Sequence, residues 1–216
     1  MGINVYYMDY TYQFVQNGQL SDIGEALTVN IKDSYRAGVE LTFGAELCDF
    51  LSLEGNWALS RTRLRDFDEY SSLYTADWDW VEDIVVHYDD SPLAFSPNSI
   101  GNVFLDFHKG GFTAMWHTSA VSKMYLDNTG SEDRMLKGHC TSNLSASYTF
   151  NWGKAVKSMT IGADVINVFN NHYAASGYAW SYPIQGNDPR SGKRLQGVGF
   201  IPQGGLMGML NLSVRF

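Results

Sequence analysis

Tyr35-Arg-Ala-Gly-Val-Glu-Leu-Thr-Phe-Gly-Ala-Glu-Leu47 reads as one long β-strand. Tyr35, Ala37, Val39, Leu41, Phe43, Ala45 and Leu47 fall on one face, and Arg36, Gly38, Glu40, Thr42, Gly44 and Glu46 on the other. That split follows from the geometry of a strand, whose successive side chains point to opposite sides. The same period recurs on both sides of this stretch. Upstream, Tyr6, Met8, Tyr10, Tyr12 and Phe14 alternate with Val5, Tyr7, Asp9, Thr11 and Gln13. Downstream, it returns from Leu51 to Arg63, around Val103–Phe107 and Phe112–Trp116, from Cys140 to Phe150, from Met159 to Val165, and from Leu206 to Phe216. This gives eight strands, most of 9 to 13 residues. Soluble strands usually have about 5 or 6 residues, whereas a tilted membrane-spanning strand needs about 9 to 11.

Composition narrows the class. Aromatic residues make up 14% of the 216-residue chain and charged residues only 18%, with 21 Gly and 5 Pro. Disorder and helical bundles both need a different balance. The net charge of −8 and the lack of any basic run leave no footprint for nucleic acid. Two Cys do not make a disulfide framework. No run of about 20 apolar residues is present, and Met1 to Tyr10 lack the basic and apolar regions of a signal peptide.

Loop lengths alternate. The turns at Cys48–Phe50, Lys109–Gly111 and 151–158 are tight, whereas those at about 16–34, 64–92, 125–137 and 170–204 are long. One face of each strand is apolar and the other is small and polar. Aromatics expected near strand ends are Tyr6, Tyr10, Tyr12, Phe14, Tyr35, Phe43, Tyr148 and Phe150. A polar lumen, an apolar outer band with aromatic girdles, short periplasmic turns and long extracellular loops define an outer-membrane barrel.

Several segments carry a more specific likeness. Val165-Ile-Asn-Val-Phe-Asn-Asn-His-Tyr173 followed by Gly177-Tyr178, and the terminal Gly208-Met-Leu-Asn-Leu-Ser-Val-Arg-Phe216, resemble the closing motifs of TonB-dependent receptors. Val5–Tyr10, Asp33–Glu40, Leu53–Trp57 and Ser96-Pro97 are similar to other barrel motifs of that family, and Val168 stands where the family more often has Leu. The resemblance covers essentially the whole chain. It implies an all-β antiparallel meander of about eight long strands, an open part of a 22-stranded barrel, with residues 1–216 as its C-terminal portion. Signal peptide, TonB box and plug have no counterpart in these residues. The family's activity is uptake of a scarce ligand such as a ferric siderophore, haem or cobalamin. The expected location is the cell outer membrane. Expected partners are outer-membrane lipid, the barrel-assembly machinery and the TonB system through the plug, with no nucleic acid. A complete eight-stranded barrel with a structural or adhesion role is the alternative.

No catalytic residue, cofactor site or metal site is expected. Of the five His residues, His87 beside Asp89 and Asp90 comes nearest to a metal set. Extracellular ligand contacts are expected at Trp78, Trp80, Tyr88, Tyr178 and Trp180, because binding residues favour long loops. Trp78, Asp79, Trp80, Glu82, Asp83, His87, Tyr88, Asp89 and Asp90 read as one acidic, aromatic loop. Leu210, Leu212, Val214 and Phe216 share a face, and the resemblance implies that they form the barrel-assembly signal. Cys48 and Cys140 are placed at opposite membrane boundaries and are expected to be free thiols.

Overall fold

The structure, a computed structural model, describes residues 1–216 except 22, 152, 154 and 192–194. Its strands are β1 (Gly2–Tyr10), β2 (Gln13–Leu20), β3 (Ala26–Ile31), β4 (Asp33–Cys48), β5 (Leu51–Tyr74), β6 (Trp80–Pro92), β7 (Ser99–Lys109) and β8 (Phe112–Val121), followed by β9 (Met124–Tyr125), β10 (Met135–Leu136), β11 (His139–Asn151), β12 (Ser158–Ile166), β13 (Ala174–Ser181), β14 (Gln196–Pro202) and β15 (Met207–Arg215). A wall of eight antiparallel strands runs β1-β4-β5-β7-β8-β11-β12-β15. These eight match the strands expected from the period-two pattern. β1 and β15 lie at opposite ends of the order and do not pair, so the sheet is open.

Register sorts the wall into two faces. Val5↔Val39↔Leu59, Ile3↔Leu41↔Trp57 and Leu53↔Leu105↔Trp116↔Leu144↔Val165 run across one face. Thr42↔Asn56↔Asn102↔Ser119↔Thr141 run across the other. The polar face is laced between strands. Asn4 Nδ2 donates to Glu40 Oε2 at 3.1 Å, Asn102 Nδ2 to Asn56 Oδ1 at 3.1 Å, and Asn211 Nδ2 to Asp164 Oδ2 at 3.1 Å. Thr113 and Ser147, and Thr149 and Thr160, share hydroxyl bonds of 2.8 Å. Cross-strand pairs of this kind are the unit of sheet stabilisation.

The aromatic assignment needs one correction. Tyr35, Phe43, Tyr148 and Phe150 do lie on the apolar face. Tyr6, Met8 and Tyr10 pair with Gly38, Arg36 and Ser34 and so lie on the polar face, leaving Ile3, Val5 and Tyr7 as the apolar side of β1. Gly38 is the reason Tyr6 fits: a Cβ there would come within 2.5 Å of the Tyr6 hydroxyl, so the ring occupies space that only Gly leaves. Tyr12 and Phe14 do not continue β1 either. The chain breaks at Tyr12, whose φ is +61°, and re-forms as β2.

Loop lengths segregate as expected, but each long connection carries strands of its own. β2 pairs with β3, β6 with the extension of β5, β9 with β10, and β13 with β14. All four hairpins rise from one edge of the wall, while the turns at 49–50 and 110–111, the end of β11 and the start of β12 occupy the other. Cys48 ends β4 at the short-turn edge and Cys140 lies in β11 at the hairpin edge, and both are free and exposed.

Where β12 leaves the wall, the closing motif forms a clasp. Asn167 is 2% exposed with φ +54°. Its backbone N–H donates to Asn143 Oδ1 at 2.9 Å, and its Nδ2 donates to the carbonyl of Asn171 at 2.9 Å. Its Oδ1 accepts from the Asn171 N–H at 3.0 Å. Asn171 Nδ2 then donates to the Cys140 carbonyl at 2.6 Å. Asn tolerates a left-handed backbone and satisfies nearby peptide groups, which explains the run of three amides in this motif.

Candidate functional site

The site begins with a change of phase in β5. Thr62 and Leu64 are buried at even positions; beyond Asp66 the buried residues are Phe67, Glu69 and Leu73. Asp66 sits at φ +60°, a conformation that re-aims the strand. The extension therefore turns a different face inward from the one its wall portion presents. Val15 and Ile31 of the first hairpin pack against Leu64 and Phe67, with Val29, Tyr88 and Leu93 around them. This core fastens the first hairpin to the second.

The third connection is tied in by charge. Arg134 is 2% exposed. Its Nη1 lies 3.1 Å from Glu69 Oε1 and 2.7 Å from Asp127 Oδ2, and its Nη2 donates to Thr129 Oγ1 at 3.0 Å. The Tyr88 hydroxyl donates to Glu69 Oε2 at 3.1 Å. Asn128 bridges two other connections: its Nδ2 donates to the Gln16 carbonyl at 2.9 Å and its Oδ1 accepts from the Ala94 N–H at 2.7 Å. The fourth hairpin joins at the tip of the second. Tyr74 N–H donates to the Pro183 carbonyl and Gln185 N–H to the Tyr74 carbonyl, each at 3.0 Å, and Arg190 Nη1 lies 2.9 Å from Glu82. Four segments distant in sequence thus form one cap.

Cavities open among the hairpins of the cap. One of about 300 Å³ is lined by residues of all four hairpins, among them Asn17, Glu69, Asn128, Arg134 and Trp180. A second of about 600 Å³ lies between the third and fourth connections, beside Leu136, His139, Tyr173 and Phe200. There the His139 and Tyr173 rings stack at 4.1 Å.

The expected contact residues separate into two groups. Trp78 is 60% exposed, stacks on Tyr182 and meets Tyr74 at a tilt, while Trp80 is 62% exposed and its Nε1 reaches Asp83 at 3.4 Å. Tyr178 and Trp180 stack on each other at 5.6 Å and are exposed. Tyr88 belongs elsewhere. It is half-buried against Phe67 and tied to Glu69. The acidic, aromatic loop is therefore not one surface: Trp80 and Tyr88 lie on the same strand, β6, about 26 Å apart. At its lower part His87 is ringed by Asp68 at 2.7 Å, Asp89 at 3.3 Å and Asp66 at 3.6 Å. The hydrogen bond to Asp68 is the main cause that raises the His87 pKa above its ordinary value. Among the described residues no group of His, Cys, Asp and Glu is arranged to hold a metal ion. Arg134, Glu69 and Asn128 escape a sequence reading because their partners are remote; the alternation of Phe67, Glu69, Ser71 and Leu73 is the signal that marks the second hairpin.

No family model matches the chain, and no curated protein does. Solved structures do. The ferric-catecholate import receptor Fiu from E. coli K12 superposes with a TM-score of 0.60 at 12% identity, over 99% of this chain and 24% of that one. The siderophore receptor PiuA from Acinetobacter baumannii gives 0.62 at 14% identity, over 98% and 25%. The copper transporter OprC gives 0.60 at 15% identity, over 97% and 28%. The chain spans about a quarter of the length of these structures. They are TonB-dependent receptors, and the chain has the fold of an open part of their barrel.

Proposed function

We propose that residues 1–216 form the C-terminal part of the barrel of a TonB-dependent outer-membrane receptor, and that they supply wall and extracellular hairpins for uptake of a scarce ligand. A ferric siderophore, haem or cobalamin is the expected class. The observation that carries this reading is the segregation of all four hairpins to one edge of an open wall with an apolar face. In such a receptor energy arrives from TonB at the plug, so this segment contributes binding surface and no catalysis. Among the exposed loop aromatics Trp78, Trp80, Tyr178 and Trp180 are ligand contacts in this reading, and Tyr88 acts through Glu69 as a support. A closed eight-stranded barrel is disfavoured by the separation of β1 and β15.

At the other end of the chain Leu210, Leu212 and Val214 pair with Ala163, Ile161 and Met159 on the apolar face and are exposed, and Phe216 follows β15 and is 76% exposed. A terminal aromatic on that face is the assembly signal in this reading. Reconstitution in lipid vesicles followed by protease treatment tests the whole proposal. The wall strands are expected to survive while residues 64–92 are cleaved. Cleavage throughout β7, β8 and β11 would overturn it.

A further inference from the structure

The apolar face of the wall changes character toward the hairpin edge. Along β5, Trp57 and Leu59 lie on that face, and Arg61, Arg63 and Arg65 continue the same alternation, with Thr62 and Leu64 buried between them. Leu51 to Leu59 is about 26 Å of strand, close to the height of a lipid-facing band of about 25 Å. The three Arg therefore begin where such a band ends. Arg65 is engaged: its Nη1 donates to Asp33 Oδ2 at 3.1 Å, and its guanidinium lies over the Tyr35 ring at 5.1 Å. Asp90 sits between the other two, 3.7 Å from Arg61 Nη2 and 3.8 Å from Arg63 Nε. Those distances are too long for hydrogen bonds, so both guanidinium forks keep their donors. Arg61 and Arg63 stand about 7 Å apart along the strand, and planar forks so placed suit the oxygens of a phosphate group.

A groove leads down from Arg61. It has a volume of about 540 Å³, and Val5, Tyr7, Ala37, Val39, Leu59 and Arg61 are among its lining residues. Tyr7↔Ala37↔Arg61 form one row across it and Val5↔Val39↔Leu59 the next row down. Ala37 is the small residue between two large ones and makes the floor. Tyr7, stacked on Tyr35 at 5.8 Å, makes one bank. The charges on this face are balanced, because Asp9, Asp33 and Asp90 share it with the three Arg. A patch without net charge does not gather soluble anions by its field. A lipid meets both features at once: its acyl chain packs along the groove, and its headgroup phosphate reaches the two forks.

We infer that Arg61 and Arg63, with the groove below them, form a binding site for a single membrane lipid with an anionic phosphate headgroup. This rests on the reading of the apolar face as the lipid-facing side. The test uses the full chain refolded in micelles of an uncharged detergent. Native mass spectrometry would count bound copies of phosphatidic acid, of phosphatidylcholine with the same acyl chains, and of inorganic phosphate. Protease resistance of the wall would be followed in parallel. One phosphatidic acid is expected to bind saturably, about ten-fold tighter than phosphatidylcholine. The double variant Arg61→Gln, Arg63→Gln is expected to lose that preference. Arg36→Gln, which removes the same kind of charge from the polar face of the wall, is expected to keep it. Ala37→Phe fills the groove and is expected to weaken phosphatidic acid binding about ten-fold. A resistant wall that binds the two lipids equally, or whose preference survives the double substitution, would overturn the site and leave the lipid-facing reading. Inorganic phosphate bound as tightly as phosphatidic acid, or unchanged binding in Ala37→Phe, would overturn the lipid assignment in favour of a soluble anion. A digested wall would overturn the lipid-facing reading and the site with it.

Discussion

The wall and the cap are built by different rules from one polypeptide. Among the described residues every buried apolar side chain — Val15, Ile31, Leu64, Phe67, Leu73, Ile84, Leu126 and Leu136 — lies in or at the base of the hairpins. In the wall, Trp57, Leu59, Leu105, Ile161 and Leu212 are exposed although they are large and apolar. The cap thus makes its own core, as a soluble domain does. The wall holds itself by backbone ladders and leaves the covering of one face to its surroundings, which the proposed outer-membrane reading supplies as lipid. Secondary structure alone therefore does not say where a chain keeps its stability.

The largest expected effect separates the two regions by solvent. On removal of detergent the chain is expected to aggregate through the apolar face of the wall, as seen by sedimentation; a monomer with unchanged far-UV circular dichroism in plain buffer would erase the distinction. Within detergent, Arg134→Ala is expected to cost about 3–5 kcal/mol, because it strands Glu69 as a buried uncompensated charge and takes a partner from half-buried Asp127. Leu105→Ala in the wall is expected to stay within about 1 kcal/mol, since its surroundings there are as apolar as the side chain removed. Urea titrations of both variants compare the regions directly, and equal losses would contradict the model of two regimes.

A smaller effect tests the seam between them. Asn167→Ala leaves the Asn171 N–H and carbonyl without their partner and is expected to cost about 1–3 kcal/mol. Hydrogen exchange should rise at 167–171 and not at β7. The smallest effect concerns His87. Its pKa is raised in the folded state, chiefly by Asp68, so its contribution is fully present below its unfolded pKa and is lost as pH rises through the folded value. Melting temperatures of the wild type and His87→Gln are expected to differ at pH 5.5 and to converge by pH 8.5. A gap that widens with pH would show the sign to be wrong.

How much of this was readable in the sequence follows the same division. The wall was legible because one face of each strand meets a uniform environment, so Val39, Leu41 and Phe43 repeat at period two without interruption. Its polar face was less so. Tyr6 and Tyr10 are aromatic yet face inward, and only their pairing with Gly38 and Ser34 reveals it. The hairpins read in the sequence only as long loops because their burial depends on tertiary neighbours and because Asp66 shifts the phase of β5 midway. Trp78, Trp80, Tyr178 and Trp180 are candidates by residue type alone, but of the contacts that organise them Tyr182 on Trp78 spans about a hundred residues and the glycines beneath Tyr178 and Trp180 lie about twenty residues further on. The Asn167 motif is legible as a pattern, whereas its role as a clasp lies in contacts with Asn143 and Cys140 some 24–31 residues away.

The open edges have a practical consequence. β1 and β15 each present a row of backbone donors and acceptors not committed within the sheet. Chemically, the chain is one half of a two-component reagent. A second polypeptide carrying strands that match those rows, offered in the same bilayer, should complement it in trans. A reporter divided at the same positions would then light up only where the two halves have found each other.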